Sequence, residues 1–175
     1  IMLAVKSGRA IRFPEEKVRP TGRGAIGVAG IEVDDANDEV VGMICVNVED
    51  KTKTVLVVSE KGSGKRTPID EYRITNRGGK GVKTISVTEK TGKLVGILDV
   101  IESEDLMITC ESGITIRMKI AEISEQGRAT QGVKLIKLDD DDAIAAITTI
   151  DVVAEDDEAE IENNNTDTPT TPETN

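Results

Sequence analysis

With one Phe, one Tyr and no Trp among 175 residues, this chain must build its core from Ile, Val, Leu, Met and Ala, which suits narrow β-sheets better than a pocket of large rings. It has no His and only two Cys, which excludes a zinc or transition-metal centre of ordinary composition, and no stretch approaches the roughly 20 apolar residues of a membrane span. The net charge of −11 conceals a partition: all 22 Lys and Arg fall within residues 1–138 against 20 acids, whereas residues 139–175 hold 13 acids and no base.

Taken in chain order, the elements recur three times. An arginine, a second arginine eleven residues on, and then Gly-Val occur at Arg12, Arg23 and Gly27-Val28. The same spacing returns at Arg66, Arg77 and Gly81-Val82, and at Arg117, Arg128 and Gly132-Val133, offset by 54 and then 51 residues. Self-similarity of this period marks a solenoid or a propeller-like array.

Each copy opens on a short apolar strand, Leu3–Val5, Leu56–Val58 or Leu106–Ile108, and turns at Gly8, Gly62 or Gly113. The next strand carries the first arginine, as in Ala10–Phe13 and Ile114–Met118. An irregular stretch follows, with one apolar anchor at Val18, Tyr72 or Ile123, and then a tight turn at Thr21–Arg23, Thr75–Arg77 or Gln126–Arg128. Gly and Asn in these turns tolerate positive φ. The Gly-Val launches a third strand, expected at Val28–Val33, Val82–Thr88 and Val133–Leu138, and an acidic turn leads to a fourth at Val40–Val48, Leu94–Ile101 and Ala143–Ile150. About four short strands per unit, with frequent turns and no sustained 3.6-residue period, predict an all-β fold of antiparallel blades. Pro14, Pro20 and Pro68 fall where edges or turns are expected. The blades are placed at about residues 1–52, 53–104 and 105–150, with 151–175 a disordered acidic tail. Residue 1 is Ile, inside an apolar run, which reads as a fragment without its natural N-terminus.

Charge alternates along the repeat. Residues 1–28, 61–83 and 113–138 sum to +4, +5 and +3, and residues 29–60 and 84–112 to −6 and −4. Stacked in register, the basic segments form a stripe.

Catalytic signals are missing. Lys61–Thr67 looks like a phosphate loop, but Ser59 stands where the first glycine belongs and Arg66 where the magnesium-binding hydroxyl belongs. Asp139–Asp142 lacks the glycine and distal glutamate of an EF-hand. No nucleophile has a base at a diagnostic spacing. Tyr72 sits at the apolar anchor position, and Cys45 and Cys110, in apolar runs, read as buried free thiols. The basic set stands out instead: the recurrent pair joined by Arg9, Arg19, Lys65, Arg73, Lys80, Lys83, Lys119 and Lys134. The recurrent pair admits two readings, phosphate contact or bonding to blade carbonyls. The scarcity of aromatics disfavours single strands read by stacking and favours duplex backbone bound without sequence readout.

At Gly64–Arg73, Asn76–Val82 and Glu122–Val133 the chain resembles the C-terminal DNA-wrapping domains of the DNA gyrase A family, and Gly8–Phe13 with Val18–Arg23 is similar to an earlier blade of such a domain. The resemblance covers about residues 1–150 and extends to the acidic tail. It implies a β-pinwheel whose neighbouring blades exchange strands, with a basic rim that wraps duplex DNA. It also implies partners: the rest of a homodimeric gyrase A protein, and a gyrase B protein that uses ATP and Mg²⁺ to drive negative supercoiling in the bacterial cytoplasm, on the nucleoid. The fragment itself takes no cofactor, touches no membrane and holds no cleaving tyrosine. The family's glutamine-arginine-glycine signature is absent, and Arg77–Gly81 is its nearest echo. Carried over position by position, the rim residues are Arg9, Arg12, Arg19, Arg23, Lys65, Arg66, Arg73, Arg77, Lys80, Arg117, Lys119 and Arg128. The alternatives are the related domain of topoisomerase IV and a non-catalytic protein-binding propeller.

Overall fold

The computed structural model describes residues 1–33, 36–47, 49–139 and 141–152. The acidic tail expected over 151–175 lies, from residue 153 on, outside the described residues. The chain forms eleven β-strands and three single-turn 3₁₀ helices, with no α-helix among the described residues. The strands are β1 (Met2–Val5), β2 (Arg9–Arg12), β3 (Val40–Ile44), β4 (Thr54–Ser59), β5 (Ser63–Pro68), β6 (Val82–Lys83), β7 (Leu94–Val100), β8 (Asp105–Cys110), β9 (Thr115–Lys119), β10 (Val133–Lys134) and β11 (Ile144–Ile150).

They make three antiparallel sheets with orders β3-β1-β2-β6, β10-β5-β4-β7 and β11-β8-β9. Two of the three blades have the expected four strands, and in both the outermost is borrowed from the next repeat. β6, from the second repeat, pairs with β2 of the first, and β10, from the third, pairs with β5 of the second. The third sheet has three strands, and β9 is its edge.

Strand β4 (TVLVVS) is a near-continuous β-branched run because both of its faces are covered, and five of its six residues are buried. Toward the first sheet, Val55 and Val57 join Met2, Ala4, Ala10, Ile44, Tyr72 and Ile85 in one core. Toward the third sheet, Leu56 and Val58 join Leu106, Ile108, Ile120, Ile123 and Ile144 in another. Each aliphatic side chain so buried contributes about 1.5–3 kcal/mol. Strand β8 instead alternates from Leu106 to Cys110, because there only its face toward β4 is covered.

The third strand of each repeat departs from expectation. Instead of spanning Val82–Thr88 and Val133–Leu138 it is two residues long, β6 and β10. The ladder ends because consecutive N–H groups converge on one carbonyl: Thr84 and Ile85 on Gly8, Leu135 and Ile136 on Gly62. In the first repeat no strand forms over 28–33, since no sheet edge is there to receive it. Cys110 is buried as expected, whereas Cys45 is exposed, since it follows the end of β3 rather than lying within it.

Candidate nucleic-acid interface

Strands β3, β7 and β11 contact one another in succession, which places them on the inner side of the array. The borrowed strands β6 and β10 lie at the opposite, outer edge of their sheets. The basic residues divide between the joints that hold the repeats together and this outer edge.

Arg12, Lys65 and Arg66 belong to the joints. Arg12 is 8% exposed, and its Nη1 donates to the carbonyls of Ile69 (3.0 Å) and Tyr72 (3.2 Å) in the next repeat's 3₁₀ turn. Arg66 repeats the contact one blade on, with Nε donating to Ile123 O (2.8 Å) and Nη1 to the Glu102 carboxylate (2.9 Å). Lys65 is fully buried, and its ammonium donates to the Gly127 carbonyl. Burial pushes its pKa down to about 8, opposed by Glu71 and reinforced by Arg128. The apparent phosphate loop is thus the β4–β5 hairpin, with Lys65 and Arg66 both bonded to carbonyls of the third repeat.

A second group is half-buried at the outer edge. Arg9 Nε donates to Lys80 O (2.8 Å), beside the borrowed strand β6. Arg77 reaches back to the carbonyls of Lys17 (2.9 Å) and Ala29 (3.0 Å), and Arg128 to that of Lys83 (3.2 Å). The second arginine of each of these two pairs therefore ties its turn to the preceding repeat.

A third group is exposed. The side chains of Arg19, Arg23, Arg73 and Lys119 make no hydrogen bond or ion pair to the described residues. Lys80 lies 3.9 Å from Glu32, and Arg117 donates to Asp105 (2.6 Å) with 54% of its side chain exposed. Two outer-edge bases fall outside the twelve read from the resemblance: Lys83 and Lys134, which end the borrowed strands with Val inward and Lys outward. The triplet Gly-Val-Lys at 81–83 and 132–134, against Gly-Val-Ala at 27–29, is the signal that finds them.

Among the described residues no cluster of His, Cys, Asp or Glu is arranged to hold a metal. No helix is long and apolar enough to cross a membrane. A row of outward bases on a stack of rigid sheets can neutralise a linear array of phosphates, and it offers no aromatic platform for stacking.

Comparison with known proteins finds the same architecture. The profile of the family described as "DNA gyrase C-terminal domain, beta-propeller" matches residues 1–47, 53–100 and 104–151. The DNA gyrase A protein of Staphylococcus aureus (strain NCTC 8325 / PS 47) is 46% identical over 162 residues, covering 93% of this chain and 18% of that protein. The chain thus spans about a fifth of the curated relatives it matches. Among solved structures, a DNA gyrase A C-terminal domain superposes with a TM-score of 0.71 at 25% identity, covering 85% of this chain and 49% of that one. The C-terminal domain of a DNA topoisomerase IV superposes with a TM-score of 0.78 at 18% identity, covering 86% of this chain and 46% of that one.

Proposed function

The chain belongs to the family of DNA gyrase C-terminal β-propeller domains, and from that premise we propose that it is a DNA-wrapping module of a gyrase A protein, holding duplex DNA by its backbone along the basic outer edge. The observation that carries the reading is the row of outward bases on and beside the borrowed strands: Arg73, Lys80 and Lys83, then Lys134, with Arg117 and Lys119 on the strand that ends the array. Arg19 and Arg23 extend the row at the first repeat, and Arg9, Arg77 and Arg128 stand within it, partly committed to carbonyls. Arg12, Lys65 and Arg66 are assigned to the joints, since phosphate cannot reach buried donors already spent on carbonyls.

Each phosphate neutralised releases condensed counterions, so affinity falls with salt at a log–log slope of about −0.9 per contact. Bending the duplex along the edge costs roughly 1–6 kcal/mol over a 20–30 bp site, offset by the contacts the bend brings in. In the parent enzyme, a type II topoisomerase, this chain supplies the wrap. Cleavage belongs to other parts of the gyrase A protein, and ATP hydrolysis with Mg²⁺ to its gyrase B partner, in the bacterial cytoplasm on the nucleoid. The likeness to topoisomerase IV, at 18% identity, speaks for the fold alone. The 46% identity to gyrase A favours gyrase.

The test is duplex binding by the whole chain across a salt series. Sequence-independent binding with a slope equal to several phosphates is expected. Absent or salt-insensitive binding at low salt, with a basic protein partner recovered instead, refutes the reading in favour of a protein-binding propeller. The 13 acids of residues 139–175 compete with DNA for the same edge. A chain ending at residue 150 is expected to bind more tightly, and equal affinity removes that brake.

A further inference from the structure

Two joints hold the three repeats together, and in each the outer arm of the later repeat, starting at Val82 or Val133, docks onto the sheet before it. In each, an arginine of the earlier repeat also clasps the turn of the later one. Arg12 Nη1 donates to Ile69 O and Tyr72 O in the first joint, and Arg66 Nε to Ile123 O in the second. The two arginines hold the same place in the repeat and are almost equally buried, at 8% and 6% exposed.

They differ in counter-charge. Arg66 Nη1 also donates to the carboxylate of Glu102, at 2.9 Å, in the loop that follows β7. At the 54-residue offset the first repeat has Val48 instead of Glu102. Nε and Nη2 of Arg12 make no hydrogen bond to the described residues, and its guanidinium makes no ion pair with them. A guanidinium so enclosed is costly without a carboxylate beside it.

Beside Arg12 the first joint contains a cavity of about 210 Å³, walled by the loop between β3 and β4 and by the turn after β5. That is the volume of about seven liquid waters. The charged groups on its wall are mostly committed to one another. Asp50 accepts from the N–H and the hydroxyl of Thr52, at 2.9 and 2.6 Å. Asp70 is exposed and lies 3.7 Å from Lys51, and Lys53 is paired with Asp99 at 2.7 Å. Two groups besides Arg12 are not committed. Thr54 Oγ1 is buried and has no hydrogen-bond partner. Glu125, which reaches the cavity from the third repeat, is exposed, and its carboxylate bonds to none of the described residues. The cavity thus offers a cation and a hydroxyl on its buried side and a carboxylate on its exposed side.

We propose that this cavity binds a small zwitterionic carboxylate of the amino-acid class, with its carboxylate on Arg12, in the place that Glu102 takes on Arg66, and its ammonium toward Glu125. The planar guanidinium–carboxylate pair is the one that the second joint already makes. Phosphate fits less well, because Asp50, Asp70 and Glu125 on the wall repel a dianion. The same acids keep a nucleic-acid backbone out, so Arg12 remains a joint residue toward DNA. The bound ligand touches Arg12 of the first repeat, Thr54 of the second and Glu125 of the third, and so ties the three together. The inference is independent of the nucleic-acid reading.

The experiment is a nuclear magnetic resonance titration of the whole chain with 4-aminobutyrate, read at the backbone amides of Thr54 and Ile69. Saturable shifts are expected. Butyrate is expected to bind more weakly, and butylamine and inorganic phosphate to give no saturable shift. Val48→Glu gives the first repeat the residue that the second has at this place, and it should weaken 4-aminobutyrate binding about tenfold or more by competing for Arg12. Glu125→Gln should bring 4-aminobutyrate down to the affinity of butyrate. A titration that does not saturate overturns the proposal. So does binding that Val48→Glu leaves unchanged, or binding that butyrate or butylamine matches in the parent chain.

Discussion

Arg66 and Lys83 are both basic, both recur in a neighbouring repeat, and do opposite things. Arg66 lies on a central strand sandwiched between sheets, is 6% exposed, and spends its guanidinium on Ile123 O and Glu102. Lys83 ends an outermost two-residue strand and points to solvent. Recurrence of charge therefore marks two things at once. One is a clamp that lets each sheet grip the turn of the next. The other is a surface held in register by that clamp. The same division separates Arg12 and Lys65 from Lys80, Lys119 and Lys134.

Breaking a clamp gives the largest effect. Arg66→Ala leaves the buried Ile123 carbonyl without its donor and opens the second joint, so chemical denaturation is expected to show a loss of about 2–4 kcal/mol. Whatever folded protein remains should keep its DNA salt slope. A slope reduced by about 0.9 with stability unchanged would make Arg66 a phosphate contact after all.

Lys65 sharpens the comparison through pH. Its folded pKa is lowered from 10.5 to about 8, chiefly by burial. Below pH 8 the folded and unfolded chains both carry the proton, and the folded chain bears the cost of the buried charge. Between about 8 and 10.5 the unfolded chain keeps a proton that the folded chain has released, so stability from this group rises with pH. The equivalent positions are Ile11 and Ile116, so an unbranched apolar side chain suits the site. Lys65→Met is expected to be more stable than the parent at pH 7 by on the order of 1–3 kcal/mol, with the advantage shrinking above pH 8. Urea titrations of both proteins at matched pH read the difference, in which all other titrations cancel. A pH-independent difference would mean that Lys65 is not buried as a strained cation.

The features legible in the sequence are those set by neighbours a few residues apart. β-Branched runs, glycine turns and the 54- and 51-residue offsets located the hairpins β1–β2, β4–β5 and β8–β9. Composition of the arms gave no hint that they would leave their own unit; strand exchange entered only through the resemblance. An arm such as Val82–Thr88 has strand-forming residues throughout, yet its paired length is set by Gly8, more than seventy positions away, whose carbonyl takes two N–H groups and ends the ladder. Nor does a β-strand's two-residue alternation say which base is buried when both faces of the sheet are covered. Lys65 and Arg66 are adjacent, face opposite sheets and are both buried. Only at the outer edge, where one face is open, does alternation sort Val inward from Lys outward.

That edge yields the smallest effect on stability and the most specific effect on binding. Lys83 donates no side-chain hydrogen bond among the described residues, and Lys134 only one, at 2.7 Å to Lys61 O, at an exposed position. Lys83→Ala with Lys134→Ala should therefore change unfolding free energy by no more than about 0.5 kcal/mol for each site. In DNA binding, each lysine that touches a phosphate should lower the salt slope by about 0.9, equally for every sequence tested. Lys119→Ala, on the open strand of the third sheet, should do the same. If the double variant binds with the parental slope, the phosphates lie along another face, and the half-buried group of Arg9, Arg77 and Arg128 becomes the next surface to test. If the slope falls while stability holds, outward lysines and inward clamps are separable functions of one repeated basic signal.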